Sequence, residues 1–176
     1  MKILAFAASN SSTSINRELI GYAASLLGDH EVEVLDINDY EMPIYRSDLE
    51  QALGIPEAAS RFLAKISDAD ALLISYAEHN GNYTVAYKNL FDWASRENQQ
   101  VYQGKAIVML STSPGPGGAS SVLALARDSA HYFSGQVKAS LSVPDFYNNF
   151  DQARGELTNP ELVGALKSAL AAFESP

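Results

Sequence analysis

Ile3-Leu4-Ala5-Phe6-Ala7-Ala8, running directly into Ser9-Asn10-Ser11-Ser12-Thr13-Ser14-Ile15-Asn16, is the stretch that decides the fold. Six apolar residues in a row read as a strand buried on both faces, as in a parallel sheet. Beyond the polar stretch, Ile15, Leu19, Tyr22, Ala23, Leu26 and Leu27 fall on one face of a helix. A strand, a run of hydroxyls and a helix N-terminus make an anion site, because unpaired amides, the helix dipole and side-chain O–H groups converge there. From Ile3 to Asn16 there is no lysine, arginine or glycine. A nucleoside triphosphate loop needs Gly-rich backbone and a lysine, and a dinucleotide loop needs Gly-x-Gly-x-x-Gly. A hydroxyl loop without cations suits a monophosphate held by neutral donors, such as that of flavin mononucleotide (FMN). The same residues also serve a plain βα turn with an N-cap serine.

The alternation continues along the chain. Val32-Glu33-Val34-Leu35 reads as a second strand closed by Asp36, followed by an irregular stretch over 36–55. Pro56 opens a helix to about Ile66, Ala71-Leu72-Leu73-Ile74-Ser75 is a third strand, and 82–96 is a helix. A fourth strand spans Ala106-Ile107-Val108-Met109-Leu110, a helix 119–133, and a fifth strand runs near Val137 to Val143. Pro160 opens a last helix that ends near Phe173. Five strands alternating with five helices predict an α/β three-layer sandwich. The matching doubly wound arrangement is flavodoxin-like, a five-stranded parallel sheet of order 2-1-3-4-5 with ligand at the carboxyl ends of strands 1, 3 and 4. No repeat or linker divides the chain, so residues 1–176 are expected to be one domain.

Composition narrows the function. Twelve Lys and Arg against 21 Asp and Glu give a net charge of -9. That balance disfavours nucleic-acid and anionic-membrane partners, which need clustered positive charge. With no cysteine, disulfides, thiol catalysis and Cys-ligated metals are excluded. The opening apolar run is too short for a signal peptide and no window matches a membrane span, so a cytoplasmic location is expected. His30 and His131 lack a companion ligand at helical spacing, and no metal site is expected. No Gly-x-Ser-x-Gly elbow marks a hydrolase. A phosphoacceptor receiver needs acidic residues where Ser9 and Ser75 stand.

In the 2-1-3-4-5 order three loops meet. Besides the first, they are Tyr76-Ala77-Glu78-His79-Asn80-Gly81-Asn82-Tyr83 and Ser111-Thr112-Ser113-Pro114-Gly115-Pro116-Gly117-Gly118. Each alone is an ordinary polar or glycine-rich turn. Together at the switch point, they offer backbone groups from Glu78 to Gly81, an amide at Asn80, and glycines that let backbone approach a ring edge.

Several separated motifs in order make the chain resemble the NADPH-dependent FMN reductases, a flavodoxin-like group with quinone, azo-dye and chromate reductases. The first-loop motif matches at Ser9, Ser14, Asn16 and Leu19. The second matches at Glu78, Asn80, Gly81, Lys88, Asn89, Asp92 and Trp93. Met42-Pro43-Ile44-Tyr45 with Asp48-Leu49 looks like the family's loop after strand 2, and Ser113-Pro114-Gly115 with Gly117-Gly118 like its third motif. The resemblance implies that Ser9, Ser11, Ser14, Ile15 and Asn16 hold the FMN phosphate end. It implies that Ala77, Glu78, His79, Asn80 and Gly81 line the flavin, and that Ser113, Pro114 and Gly115 approach its other edge. Ala8 and Ser11 replace the family's glycine and arginine, and Ala77 and His79 its proline and tyrosine. The lost arginine weakens the case for NADPH over NADH, and His79 would lend the site a pH dependence.

The implied activity is an FMN-dependent NAD(P)H oxidoreductase passing hydride through flavin N5 to a quinone-like or other small acceptor. FMN would be the bound cofactor, NADPH or NADH the donor, and no protein side chain a catalytic group. The other class is a flavodoxin-like electron carrier with little intrinsic NAD(P)H activity. In helix 82–96, Tyr83, Ala86, Tyr87, Leu90, Phe91, Ala94 and Trp93 form a stripe about 160° wide. That width, and related reductases, point to a homodimer or homotetramer; a wider contact within the chain is the alternative.

Overall fold

Strand β1 (Lys2–Ala8) lies between β2 (Glu31–Leu35) and β3 (Ala71–Tyr76). Strands β4 (Ala106–Thr112) and β5 (Gln136–Val143) extend the sheet beyond β3, so the order is β2-β1-β3-β4-β5 and every pairing is parallel. The computed structural model describes residues 1–174; the last two of the expected 1–176 domain lie outside the described residues.

Side chains alternate across each strand, and here both faces are covered. Leu4, Phe6, Leu72, Ile74 and Met109 face helices α3 (Glu57–Asp68), α4 (Val85–Glu97) and α5 (Ser120–Ser129). Ile3, Ala5, Leu73, Val108 and Leu110 face α1 (Ile15–Ser25) and α7 (Pro160–Ala171). This explains why β1, β3 and β4 read as unbroken apolar runs while edge strands β2 and β5 carry exposed residues. The flavodoxin-like three-layer sandwich is as the sequence predicts.

The differences lie between the main elements. Residues 36–55 are not wholly irregular. A 3₁₀ turn at Ile37–Tyr40 starts where the Asp36 carboxylate accepts the Asn38 amide at 3.0 Å, and a short helix, α2, spans Ser47–Leu53. α2 buries no residue, so no apolar periodicity could announce it. Pro56 is the residue before α3 rather than its first. Helix α4 starts at Val85, three residues later than expected, because Thr84 caps it by accepting the Tyr87 amide at 3.2 Å. Helix α5 ends at Ser129 and tightens into a 3₁₀ turn at Ala130–Phe133. A short helix α6 (Phe146–Asn149) and a hairpin, β6 (Phe150–Asp151) with β7 (Glu156–Leu157), also went unread in a polar stretch.

The wide stripe of α4 is filled from within the chain. Trp93 is 0% exposed, its indole donates to the Pro43 carbonyl at 2.7 Å, and Tyr45 meets it edge-on at 5.0 Å. Phe91 packs on Phe133 at 4.7 Å and Tyr102 at 5.7 Å. The width of the stripe therefore does not itself call for a second subunit.

Phe62 of α3 joins the helix layer to the sheet, meeting Phe6 at 5.8 Å and Tyr40 at 5.7 Å, both edge-on. Phe62→Ala is expected to lower unfolding stability by about 3–5 kcal/mol in urea titration, through lost contact and the cavity left behind.

Candidate functional site

Strands β1, β3 and β4 end side by side, and three loops gather there. The first is locally built by its own hydroxyls. Ser9 Oγ accepts the Ser11 amide at 3.3 Å, Ser11 Oγ accepts the Thr13 amide at 3.3 Å, and Ser14 Oγ caps α1 by accepting the Arg17 amide at 3.2 Å. The amides of Ile15 and Asn16 have no partner among the described residues, as expected of the first positions of a helix.

Asn16 fixes this loop to the other two strands. Its amide oxygen accepts from Ser75 Oγ at 2.7 Å and from the Thr112 amide at 3.1 Å, while its amide nitrogen donates to the Thr112 carbonyl at 3.2 Å. The residue is 2% exposed. Thr84 adds a second tie, donating to the Ala8 carbonyl at 3.0 Å.

The second loop reverses on a two-residue turn. His79 and Asn82 exchange backbone hydrogen bonds at 2.9 and 3.1 Å, with Asn80 at φ 54° and Gly81 at φ 73° between them. Positive φ at both central residues is the type I′ pattern that Asn-Gly favours. Glu78 reaches across to α5, where its carboxylate accepts the Val122 amide at 2.7 Å in the helix's first turn. Below, the hydroxyls of Tyr76, Tyr87 and Tyr102 meet in the core, 3.1 Å between Tyr87 and Tyr102. Burial pushes Tyr102 up to about 12 and holds Tyr76 and Tyr87 well above the ordinary tyrosine value, so the three hydroxyls are neutral.

The third loop depends on one glycine. Gly118 has φ 56°, and a Cβ there would lie 2.2 Å from Ser142 Oγ and 3.0 Å from the Pro144 backbone nitrogen. Its carbonyl accepts from Ser111 Oγ at 2.7 Å and Ser142 Oγ at 2.8 Å.

A cavity of about 220 Å³ opens where the loops meet. Of the expected residues, Ser9, Ser11, Ser14, Ile15, Asn16, Ala77, Glu78, His79, Ser113 and Pro114 line it. Asn80 and Gly81 form the exposed turn tip, and the Gly115 carbonyl is taken up by Gly118, Asp145 and Ser113; none of the three lines the cavity. Thr13, Thr112 and Tyr147 line it without having been singled out. Thr13 sits inside the hydroxyl run and was legible there; Tyr147 arrives from α6, which had no signal.

Among the described residues, no lysine or arginine lines the cavity. The nearest candidate in sequence, Arg17, is turned to an ion pair with Asp36. Burial pushes the Asp36 carboxyl up, but the Asn38 amide and the Arg17 guanidinium outweigh it and hold it below the usual carboxylate range. The donors left for a ligand are hydroxyls and helix-terminal amides. They fit a monophosphate and lack what a triphosphate loop needs.

Fold and site together define a flavodoxin-like protein with a cation-free, hydroxyl-lined cavity at its switch point. Residues 1–148 match the model of the NADPH-dependent FMN reductases, and the chain belongs to that family. It is 36% identical over 116 residues to an NAD(P)H-dependent FMN reductase of Pseudomonas aeruginosa, which covers 65% of this chain and 61% of that protein. It is 30% identical over 190 aligned residues to an NAD(P)H:quinone oxidoreductase of Solanum tuberosum, covering 99% of this chain and 92% of that one. Among solved structures it resembles FerB, a flavoenzyme NAD(P)H:(acceptor) oxidoreductase from Paracoccus denitrificans, with TM-score 0.75 and 27% identity. That match covers 98% of this chain and 94% of the other.

Asn16→Leu leaves Ser75 Oγ and the Thr112 backbone without partners, and each buried polar group so orphaned costs about 1–3 kcal/mol. A clear loss of thermal stability is expected. Asp36→Asn is expected to match the parent chain in strong acid and fall short at neutral pH. The stabilisation from a carboxyl held low is complete above its unfolded value and lost as pH falls through the depressed one. Denaturant melts across pH check this.

Proposed function

We propose that the chain is an FMN-dependent NAD(P)H oxidoreductase acting on quinone-like or other small acceptors. The observation that carries this is the cation-free cavity at the ends of β1, β3 and β4, lined by hydroxyls, helix-terminal amides and the second and third loops. In this reading Ser9, Ser11, Thr13 and Ser14, with the amides of Ile15 and Asn16, hold the phosphate, and the dipole of α1 adds to them. Residues Ala77 to His79 and Ser113 to Pro114 flank the ring, with Tyr147 at the cavity's edge. When bound, FMN supplies the hydride chemistry, taken up from a nicotinamide donor at N5 and given to the acceptor. The chain's own part is to bind, orient and shield.

The named relatives support the class, since one is a quinone oxidoreductase and one an FMN reductase by name. Donor selectivity follows from charge. The extra phosphate of NADPH finds no arginine or lysine in the cavity lining, so we infer little discrimination between NADPH and NADH.

The purified protein is expected to show the two visible bands of oxidised flavin, or to gain them on adding FMN. Both bands are expected to bleach under anaerobic titration with either nicotinamide. A flavin-loaded protein that neither donor bleaches would be an electron carrier instead, and a protein that never takes up FMN would remove both readings. In steady state with a quinone, kcat/KM for NADPH and NADH is expected to agree within about tenfold, the ratio that 1.4 kcal/mol of differential binding produces. Ser14→Ala is expected to cost about 1 kcal/mol of stability from the lost cap and to weaken FMN binding.

A further inference from the structure

The second loop reverses at Asn80-Gly81, the one Asn-Gly step in the chain, next to a residue that lines the cavity. The side-chain amide of an asparagine is open to attack by the backbone nitrogen of the following residue, through a five-membered ring. Attack is favoured where that residue has no side chain, where neither amide is held by a hydrogen bond, and where the main chain can swing.

The chain's ten asparagines can be ranked on these conditions. Seven have their side chains hydrogen-bonded. The other three, Asn10, Asn80 and Asn148, have no side-chain partner among the described residues. After Asn10, the Ser11 amide donates to Ser9 Oγ at 3.3 Å. After Asn148, the Asn149 amide donates to the Asp145 carbonyl at 3.2 Å. After Asn80, the Gly81 amide has no partner among the described residues, and a Cβ built at Gly81 would meet nothing within 4 Å. Both residues are exposed. Among the described residues Asn80 alone meets every condition.

The type I′ turn is the one obstacle. Ring closure needs Asn80 to rotate about its Cα–C bond until the Gly81 nitrogen faces Cγ. The two backbone hydrogen bonds between His79 and Asn82 oppose that rotation. They lie at an exposed tip, where local opening costs far less than breaking the sheet below. Glycine follows the swing without a Cβ to clash.

We propose that Asn80 is a spontaneous modification site, whose deamidation ages the second loop and loosens its hold on an anionic cofactor. The Gly81 nitrogen gives up its proton and bonds to Asn80 Cγ, the Cγ–Nδ2 bond breaks, and ammonia leaves a succinimide. Water then opens the ring. Opening at Cγ leaves aspartate, and opening at the main-chain carbonyl leaves isoaspartate, with the chain running through Cγ. The net exchange is water for ammonia, and no oxidant or reductant takes part. Either product puts a carboxylate beside His79, at a cavity lined by no lysine or arginine among the described residues. Isoaspartate also adds a carbon to the main chain, so the pairing of His79 with Asn82 loses its register. That Asn80 is modified stands on the turn alone; that the change reaches FMN rests on the reductase reading.

The full chain is incubated in mildly alkaline buffer at physiological temperature. Peptide mass mapping follows every asparagine, and isoaspartyl methyltransferase labelling reports isoaspartate. Asn80 is expected to convert about tenfold or more faster than Asn10 or Asn148, a barrier difference of about 1.4 kcal/mol. The converted fraction, separated by anion exchange, and Asn80→Asp are each expected to bind FMN about fivefold more weakly than fresh parent, as about 1 kcal/mol of repulsion between solvated charges gives. Asn80→Gly keeps a residue that accepts positive φ, and is expected to hold its own FMN affinity through the incubation. Conversion of Asn10 or Asn148 ahead of Asn80 overturns the site. Converted protein and Asn80→Asp that bind FMN as tightly as fresh parent overturn its effect on the loop. Equal loss of affinity from incubated Asn80→Gly traces the ageing elsewhere and overturns that effect too. If no form takes up FMN, the reductase reading falls and the mass map alone decides the modification.

Discussion

The site depends on one buried amide. Asn16 stands at the start of α1, yet its side chain is bonded to β3 through Ser75 and to both backbone groups of Thr112 at the end of β4. Three strands that share only ladder hydrogen bonds lower down are thereby locked together at the end where the ligand would sit. An amide suits this position because it donates and accepts at once. A carboxylate could accept from Ser75 and the Thr112 amide but would face the Thr112 carbonyl, and an apolar residue would orphan all three groups. Because Asn16 is almost wholly buried, these bonds form in a low dielectric and do not compete with water. The hydroxyl loop is then rigid at its helix end, which lowers the ordering entropy that a phosphate would otherwise have to offset.

The charge pattern around that anchor is as informative as the geometry. The chain carries nine more acidic than basic residues, and Arg17, the arginine nearest the loop in sequence, is held by Asp36. Stabilisation of an anion therefore falls to fixed dipoles, namely the amides at the start of α1 and the hydroxyls of Ser9, Ser11, Thr13 and Ser14. Such donors change little with salt or pH, unlike a lysine or arginine pair exposed at a cleft mouth. Glu78, the carboxylate in the lining, has its charge directed at the N-terminus of α5, so it does not stand free against a phosphate.

The fold was legible because β1, β3 and β4 are buried on both faces and read as continuous apolar runs, with amphipathic helices between them. That three loops would meet in one cavity was legible for a related reason. At a switch point the ligand contacts come from strand ends, and strand ends are easy to find in sequence. What could not be read were features set by tertiary contact. The family resemblance makes Asn16 a phosphate ligand, and only the folded chain reveals it as the tie between strands. Asn80-Gly81 carries the signature of a type I′ turn, but the flavin-loop reading of the same residues hid it. Tyr147 comes from a single-turn helix within a polar stretch, where neither period nor capping gives a signal. The stripe on α4 is wider than one sheet needs because Trp93 packs against residues 42–45, a strap after β2 that has no periodicity of its own.

That strap is where the two halves of the structure connect. Asn38 donates to the Asn10 carbonyl and to Asp36, and Asp36 holds Arg17 on α1, so the loop after β2 is bonded to the hydroxyl loop from both sides. Asn89 and Trp93 tie the same segment to α4, and Thr84 ties the start of α4 back to β1. The first loop is therefore enclosed in a ring of hydrogen bonds running through β1, α4, the strap and α1.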